Sequence, residues 1–370
     1  MSTLKVDTIT KADGTGSLSV PAETGTVVTT ASPSLGRRNL IINGAMQVAQ
    51  RGTSATGQTA SGYYVCDRFR SATSAEQTET HEQSTDAPDG FSSSYKVTIT
   101  TADASIETND YATIAQIIEA QNLQHLQYGT SDAKQLTVSF WVKSSATGTC
   151  AVAIYNYDSN SYISNSYTIS SANTWEYKTL TFDGDISGIL NNDNGAGLEV
   201  YFIYSAGSYY TSGTSNTWGT STNFAVGQTV NLVSTLNATF QITGVQLEVG
   251  SVATPFEHRS YGEELALCQR YYQEFGRTGY MSCRGNGTTA VADALIPTST
   301  VLRATPTITG GSWYATKGSG TTLYAGSGET YSVQSTSSQG VVVDISNIAN
   351  MTDNMVAVIQ VLSVTLDAEL

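Results

Sequence analysis

Residues 237–275 constrain the fold most, because two different periodicities meet in this one stretch. In its first half the apolar residues alternate in two period-two sets that change phase at Gly244, which predicts a half-buried strand with a bulge. From Glu263 to Phe275 the apolar residues follow a spacing of three to four, and Gly276 supplies a stop signal. The second half therefore predicts one short helix, at the point where a large β domain ends and a smaller one begins.

The low charge of the chain limits the kinds of partner it can bind. Only 13% of the 370 residues are charged and the formal net charge is −14, while Ser, Thr, Gly, Asn and Tyr supply much of the polar character. A nucleic-acid partner requires basic surface that neutralises phosphates, so this composition argues against one. A polar, uncharged, tyrosine-rich surface suits an extended all-β protein instead.

Segments that would direct the chain into or across a membrane are not recognisable in the sequence. No apolar run reaches the roughly 18 residues that a membrane span needs, and the first residues contain no apolar core of a signal peptide. Cys66, Cys150, Cys268 and Cys283 are scattered without a C-x-x-C motif, which favours reduced, partly buried thiols over disulfides or a metal site. We therefore expect folding in a reducing compartment and no membrane insertion.

Residues 1–36 carry strand and turn signals but too few apolar residues to form a core. Short apolar alternations lie on both sides of the turn sequence D-G-T-G at 13–16. Such a segment predicts an arm that becomes ordered by docking on a partner, and a disordered leader is the alternative.

Residues 37–260 contain the densest series of strand signals in the chain. Turns rich in Gly, Asn, Asp and Ser separate the strands, a pattern that predicts a two-sheet sandwich. Residues 112–126 contain helix-forming residues at partial helical spacing, so propensity alone favours a helix there. Trp141 and Trp175 lie within strand patterns and are expected in the core.

Beyond Gly276 the strand signals resume and predict a second, smaller sandwich. The very apolar stretch from Met355 to Leu366 is expected to form a central strand, buried on both faces or at a subunit contact.

Several sequence runs together resemble the jelly-roll module of phage tail-fibre proteins. They are N-L-I-I-N-G-A-M-Q-V-A-Q-R-G (39–52), Y-V-C-D-R-F (64–69), V-S-F-W-V-K-S-S (138–145), I-T-G-V-Q-L-E-V-G (242–250) and A-T-P-F-E-H-R-S-Y-G-E-E-L-A-L-C-Q-R-Y-Y (253–272). The leader S-T-L-K-V-D-T-I resembles N-terminal attachment segments of structural proteins from tailed phages that infect cyanobacteria. L-R-A-T-P-T-I-T (302–309) is similar to distal fibre domains, and L-D-A-E-L (366–370) to the ends of such fibres.

The resemblance implies an all-β chain with four parts: an N-terminal attachment segment (1–36), a jelly-roll β-sandwich (37–260), one short connecting helix (261–276) and a small C-terminal β-sandwich (277–370). Because the module is similar to carbohydrate-binding jelly rolls, it also implies a strand over Tyr111–Glu119 in place of the helix that propensity favours. Fibres of this kind are homotrimers located in the virion, made in the host cytoplasm, and joined to another virion protein through their N-termini.

The search for catalytic chemistry in the sequence is mostly negative. His81, His125 and His258 lie far apart with no partner at ligand spacing, so surface or packing roles are expected. No nucleophile elbow and no phosphate-binding loop occurs. We therefore expect that the protein is not an enzyme and has no cofactor.

Acidic residues cluster at two places, Asp183 with Asp185 and Asp193 in N-N-D-N-G. Paired carboxylates could hydrolyse a glycan, but both clusters lie in turn-forming sequence, where Asp commonly bonds the backbone. A structural Ca²⁺ held by these oxygen atoms is a further alternative.

Two aromatic-rich stretches, 153–167 and 205–220, are the candidate glycan-binding loops. Flat rings with polar tips can stack on sugar faces while nearby amides and hydroxyls bond the sugar hydroxyls. For the tyrosines of the first stretch, the alternative is that they simply cover one face of a sheet. The candidate residues are Tyr155, Tyr157, Tyr209, Tyr210, Asn216 and Trp218, with Trp313, Tyr314 and Tyr324 as a distal alternative.

Three classes of function are consistent with these features. The first is a tail fibre that attaches to the phage particle by its N-terminus and recognises a host-surface polysaccharide or lipopolysaccharide. The second is a purely structural virion connector or head-decorating fibre, and the third is a polysaccharide depolymerase.

Overall fold

In the computed structural model of the chain, the described residues are 9–10, 17–18, 37–276, 281–284, 292–310, 313–317, 322–324, 330–337, 340–346, 356–361 and 363–370. The chain divides into two compact units, residues 1–38 and 39–370. In the first unit β1 (Ile9–Thr10) pairs antiparallel with β2 (Ser17–Leu18). The strands expected on both sides of the turn sequence at 13–16 are thus confirmed, and the turn itself lies outside the described residues.

Two six-stranded antiparallel sheets form a β-sandwich in the second unit. The chain crosses repeatedly from one sheet to the other, which is the arrangement of a jelly roll, so the all-β fold class is confirmed. The strands are β3 (Ser54–Gln58), β4 (Gly62–Tyr63), β5 (Arg70–Thr73), β6 (Thr78–Ser84), β7 (Ser94–Thr101), β8 (Tyr111–Glu119), β9 (Leu136–Ser144), β10 (Gly148–Asn156), β11 (Ser161–Ile169), β12 (Glu176–Phe182), β13 (Ala196–Ala206) and β14 (Thr239–Val249). Sheet I has the order β11-β10-β13-β8-β5-β4, and sheet II has the order β12-β9-β14-β7-β6-β3.

The core lies between the two sheets and follows directly from the alternation of the strands. On β9 of sheet II the inward side chains include Val138 and Phe140, and on β13 of sheet I they include Val200 and Phe202, all fully buried. Phe140 and Phe202 meet edge to face across the sandwich, with ring centroids 5.0 Å apart. Each such buried side chain stabilises the fold by roughly 1.5–3 kcal/mol.

The predicted bulge of β14 is confirmed at Gly244. The pairing of β14 with β9 shifts between Thr243 and Gln246, and Gly244 adopts φ +60°. A Cβ atom at this position would lie 2.7 Å from the ring of Phe91. The phase change read from the sequence therefore marks a place where only glycine fits.

The strand implied by the resemblance over Tyr111–Glu119 is confirmed, with a 3-10 helix from Ala120 to Leu126 after it. The stretch with helical propensity is thus divided between a strand and a short helix. β8 is paired on both edges, by β13 and β5, and Ile114 and Ile118 face the core. This tertiary setting outweighs local propensity.

The predicted connecting helix is shorter than expected. α1 (Tyr261–Gln269) begins with a capping box between Ser260 and Glu263, but ends seven residues before Gly276. The next residues form β15 (Tyr272–Gly276), which pairs with β24 (Ser363–Asp367). The expectation of a helix through Phe275 is therefore wrong, because a strand partner brought by the far end of the chain is invisible to local spacing.

The remaining strands form three small antiparallel sheets, of three, four and three strands. The apolar stretch from Met355 to Leu366 supplies two strands, and each is central to its sheet. β23 (Val356–Val361) pairs with β16 (Met281–Arg284) and β19 (Trp313–Lys317), and β24 pairs with β15 and β18 (Thr307–Gly310). The prediction of a central position is confirmed, and the side chains of residues 356–361 lie outside the described part of the chain. The strands are β16 (Met281–Arg284), β17 (Ala292–Pro297), β18 (Thr307–Gly310), β19 (Trp313–Lys317), β20 (Thr322–Tyr324), β21 (Thr330–Ser337), β22 (Gly340–Ser346), β23 (Val356–Val361) and β24.

Several of the sequence runs that carry the family resemblance meet where the sandwich contacts α1 and the last residues. The guanidinium of Arg68 lies over the ring of Tyr271, and that of Arg51 over the ring of Tyr272, at 3.4 and 3.6 Å from the centroids. Both arginines also pair with Glu369, whose side chain is only 5% exposed. These contacts form the junction cluster, defined here as Arg51, Arg68, Glu119, Arg270, Tyr271, Tyr272 and Glu369.

Glu119 closes the junction cluster on the side of sheet I. It accepts two hydrogen bonds from Arg270, from Nε at 2.8 Å and Nη2 at 2.9 Å, and one from the Tyr271 hydroxyl at 2.6 Å. Burial by itself raises the pKa of Glu119, but these hydrogen bonds and the charge of Arg270 outweigh it and lower the pKa below its ordinary value. The ionised carboxylate therefore ties β8 to the segment that follows α1.

Three of the four cysteines are buried free thiols, as the sequence predicts: Cys66, Cys150 and Cys268. Burial raises the pKa of each thiol. The side chain of Cys283 lies outside the described residues. No helix in the described part of the chain is long and apolar enough to cross a membrane.

Candidate functional site

The outer face of sheet I, which points away from the core, carries a group of aromatic side chains that pack against one another. On β10 and β13 the residues that alternate with core positions include small, aliphatic and aromatic side chains: Ala151, Ala153 and Tyr155 on β10, and Tyr201 and Ile203 on β13. These residues pack together as a cluster separate from the main core. The sheet therefore has a second apolar layer on its outside.

Tyr155 and Tyr162 form a stacked pair at one end of this layer. They are direct cross-strand partners on β10 and β11, and their rings lie 4.3 Å apart at an angle of 24°. Tyr157 meets Tyr155 edge on at 4.7 Å, and the Tyr155 hydroxyl donates to Asn160 Oδ1 at 2.7 Å. All three tyrosines are half-buried, so part of each ring remains available to a ligand.

Glu199 lies at the centre of the same face and is 1% exposed. Its Oε2 accepts hydrogen bonds from the hydroxyls of Tyr157 at 2.6 Å and Tyr201 at 2.5 Å. Arg70 Nη1, on the neighbouring part of the sheet, lies 3.8 Å from Oε1. The tyrosine hydroxyls and the guanidinium thus surround one buried carboxylate.

The electrostatics of this face reflect that buried charge. Burial raises the pKa of Glu199, and the charge of Arg70 with the hydrogen bonds from Tyr157 and Tyr201 does not bring it back down. Burial and the carboxylate also raise the pKa of Tyr157 and Tyr201, so their hydroxyls stay protonated and act as donors. The face presents neutral aromatic rings around a single paired charge.

Residues 207–228 form a loop that covers part of the outer face. Phe224 is the centre of its packing and contacts Tyr111, Tyr162, Tyr201 and Tyr210 edge on, with centroids 5.1 to 5.6 Å apart. This packing places Tyr210 beside Tyr111 and makes the loop one wall of the site.

The structure brings four of the six predicted residues to this region. Tyr155 and Tyr157 share the outer face, and Asn156 between them points inward and is fully buried. Tyr209 and Tyr210 lie in the loop wall, where Tyr209 is 45% exposed and meets Tyr210 edge on. The stretch 153–167, expected as a loop, is an antiparallel hairpin of β10 and β11.

Trp218 and Asn216 are placed differently from the expected exposed platform. Trp218 packs against the main core and edge on to Tyr128, and its Nε1 donates to the backbone oxygen of Asp183 at 2.8 Å. Asn216 adopts φ +51°; its Oδ1 accepts a hydrogen bond from the backbone N–H of Asp183 at 3.1 Å, and its Nδ2 donates to Asp183 Oδ2 at 2.9 Å. Both residues anchor the loop to the Asp183 turn.

The distal alternative can be located only by its backbone. Trp313 and Tyr314 lie on β19 and Tyr324 on β20, with Tyr314 and Tyr324 in register. The side chains of these three residues lie outside the described part of the chain.

Four residues that the sequence does not single out complete the site: Arg70, Tyr162, Glu199 and Tyr201. The signal was present for two of them, because Glu199 and Tyr201 alternate with the apolar Leu198, Val200 and Phe202 and so share one face of β13.

The prediction that Trp141 and Trp175 lie in the core is wrong. Both are half-buried, and Trp141 alternates with core residues on β9, so it lies on the outer face of sheet II beside Tyr177, at 5.4 Å. Trp175 Nε1 donates to Asp86 Oδ1 at 3.1 Å.

In the turn that contains Asp185, the carboxylate has a structural role. Asp185 is buried and accepts hydrogen bonds from the backbone of Ser187 and Gly188 and from the side chains of Asn156, Ser159 and Ser161. Within the described ranges, no group of three or more His, Cys, Asp or Glu side chains is placed to hold a metal ion.

The histidines have the packing or surface settings expected of them. His81 is fully buried, with Nε2 3.1 Å from Glu79 and Nδ1 3.1 Å from the Tyr95 hydroxyl. His258 packs on Phe256, and His125 is exposed.

Comparison with known proteins gives similarity in structure only. No protein-family model matches the chain, and no curated protein matches it. The enzymatically active domain of tailspike protein 4 of bacteriophage CBA120 is 13% identical and covers 58% of this chain and 22% of its own, with a TM-score of 0.31. The family 11 carbohydrate-binding module of a cellulosomal cellulase from Clostridium thermocellum is 14% identical over 54% of this chain and 96% of its own, with a TM-score of 0.28. The module TmCBM61, solved with β-1,4-galactotriose, is 9% identical over 58% of this chain and 99% of its own, with a TM-score of 0.29.

Proposed function

We propose that this chain is a phage tail-fibre protein that binds a host-surface glycan on the outer face of sheet I. The observation that carries the proposal is the half-buried stacked pair of Tyr155 and Tyr162, set beside the Glu199 carboxylate and its hydroxyl donors. Such a surface offers flat apolar rings and polar atoms side by side, which is the combination that a sugar ring with its hydroxyls requires.

The physical setting of the rings favours binding over simple coverage of the sheet. The second apolar layer already covers Ala151 and Ala153 completely, whereas Tyr155, Tyr157 and Tyr162 at its end keep part of their surface exposed. The rings are held by stacking and hydrogen bonds, so little side-chain entropy is lost when a ligand binds.

The remaining assignments rest on the resemblance of the sequence. Residues 1–36 attach the protein to another virion component, the fibre is a homotrimer, and the protein is made in the host cytoplasm and acts in the virion without enzymatic activity. The division of the chain into units 1–38 and 39–370 supports a separate N-terminal segment. Deletion of residues 1–36 should leave the melting temperature unchanged and abolish incorporation into particles. If light scattering gives the mass of a monomer for the full-length chain, the proposal of a homotrimer is wrong.

A glycan array probed with the full-length protein tests the binding proposal. Tyr155→Ala and Tyr162→Ala should each weaken binding to the recognised glycan about tenfold or more, equivalent to about 1.4 kcal/mol. Tyr177→Ala is the matched control, because Tyr177 is a 46% exposed tyrosine on the opposite sheet. Absence of any bound glycan would favour a structural connector, and release of reducing ends from capsular polysaccharide would favour a depolymerase.

A further inference from the structure

Only one of the two carboxylate oxygens of Glu199 accepts a hydrogen bond from the described residues. Its Oε2 accepts two tyrosine hydroxyls, whereas Oε1 is buried and accepts no hydrogen bond from any described residue. A buried acceptor without a donor is costly, and native proteins retain few of them. An unused carboxylate oxygen in the middle of a candidate binding face therefore points to a donor that is supplied from outside the chain.

Arg70 is the accessible member of the pair. Its Nη1 lies 3.8 Å from Oε1, close enough for attraction between the charges but too far for a hydrogen bond. The Arg70 side chain is 24% exposed and that of Glu199 only 1%. A guanidinium has five N–H donors, so Arg70 can bond a ligand while it stays beside Glu199.

We propose that Glu199 and Arg70 form hydrogen bonds with two neighbouring hydroxyl groups of an uncharged sugar whose ring rests on Tyr155 and Tyr162. One hydroxyl donates to Glu199 Oε1, which a small turn of the neighbouring Arg70 side chain uncovers, and the other accepts from Arg70, which remains beside the carboxylate. This inference rests on the proposed function and names the class of glycan that the same site selects.

The charges on the face argue for a neutral sugar over an acidic one. A uronate or sialate carboxylate at this place would compete for Arg70 and leave Glu199 buried without its cation, which is strongly unfavourable. Hydroxyl groups donate and accept, so they satisfy both side chains without separating them. The chain as a whole has a formal net charge of −14, which further opposes an anionic polymer.

The test compares neutral chains of glucose, galactose and mannose with the same chains ending in a uronate, by titration against the full-length protein. We expect binding to a neutral chain, at least tenfold weaker binding to its uronate counterpart, and less than a twofold change between 50 and 500 mM NaCl. Glu199→Gln and Arg70→Gln should each weaken binding tenfold or more with no loss of melting temperature for Glu199→Gln.

Deoxy analogues of the bound glycan identify the hydroxyl group that donates to Glu199. Removal of one hydroxyl should weaken binding to the wild type tenfold but leave binding to Glu199→Gln unchanged, because the two changes remove the same contact. Preference for the uronate chain, or full affinity of Glu199→Gln when Tyr155→Ala has lost binding, would overturn this inference and leave the proposed function standing. If no glycan binds the protein, both this inference and the proposed function are wrong.

Discussion

The guanidinium of Arg68 lies 3.4 Å from the ring centroid of Tyr271 and also pairs with Glu369, so one buried side chain joins the start, middle and end of residues 39–370. Arg68 is 1% exposed, and its Nη2 also donates to the backbone oxygen of Ile117 at 2.6 Å. Several of the motifs that suggest a fibre family thus build the junction cluster and do not line the candidate glycan site.

Truncation of Arg68 should be among the most destabilising single changes in the protein. Arg68→Ala removes the buried cation nearest to Glu369, which keeps only Arg51 at 3.4 Å, and also removes the contacts with Tyr271 and Ile117. We expect a loss of about 2–3 kcal/mol in the free energy of unfolding, measured by urea denaturation. Lys96→Ala is the control, because the half-buried Lys96–Glu82 pair is much more open to water and should contribute at most about 1 kcal/mol. Equal effects of the two changes would show that the junction cluster does not hold the parts together.

The sequence predicts the sandwich better than the site because alternation identifies two faces of a strand but not which one is inside. On β9 both sets of residues are partly apolar, with Val138 and Phe140 on the core face and Trp141 on the other, so alternation alone does not decide which aromatic ring is buried. On β13 Glu199 interrupts an apolar run, and the local pattern does not show that this single charge is buried on the outer face among tyrosines. The end of α1 could not be predicted, because its cause is the pairing of β15 with residues about 90 positions later.

Two buried glutamates should make opposite contributions to the pH dependence of stability. The pKa of Glu119 is lowered, so its contribution is present above the ordinary pKa of 4.5 and is lost as the pH falls through the folded-state value. The pKa of Glu199 is raised, so the folded state holds its proton more tightly and stability decreases as the pH rises above 4.5.

Melting curves between pH 3 and 7 check these signs (roughly the window in which carboxylates titrate). At neutral pH, Glu119→Gln should melt below the wild type and Glu199→Gln at or above it, and both differences should shrink at acid pH. A Glu199→Gln variant that melts well below the wild type at neutral pH would contradict the expected sign.

Gly244→Ala should destabilise the sandwich through both strain and a clash. The residue adopts φ +60°, and the added Cβ would lie 2.7 Å from the Phe91 ring. Gly57→Ala is the matched control, because Gly57 has φ +72° with no atom within 4 Å of the added Cβ. The left-handed backbone costs about 1–2 kcal/mol at both positions, so the extra loss at Gly244, seen in urea denaturation, measures the packing at the bulge. Equal losses would mean that Phe91 moves aside freely.

Trp218→Ala should lower stability and leave glycan contacts intact, because Trp218 holds the loop wall from behind. Its ring packs on the core and on Tyr128, and its Nε1 bonds the backbone of Asp183. Truncation of a fully buried Trp costs about 3–5 kcal/mol, and for this half-buried ring we expect about 2 kcal/mol. Trp218→Phe should recover the packing and lose about 1 kcal/mol for the hydrogen bond. Tyr209→Ala is the comparison, since this exposed ring should change stability by at most about 0.5 kcal/mol. If Trp218→Ala loses glycan affinity while its melting temperature stays that of the wild type, Trp218 belongs to the binding surface instead.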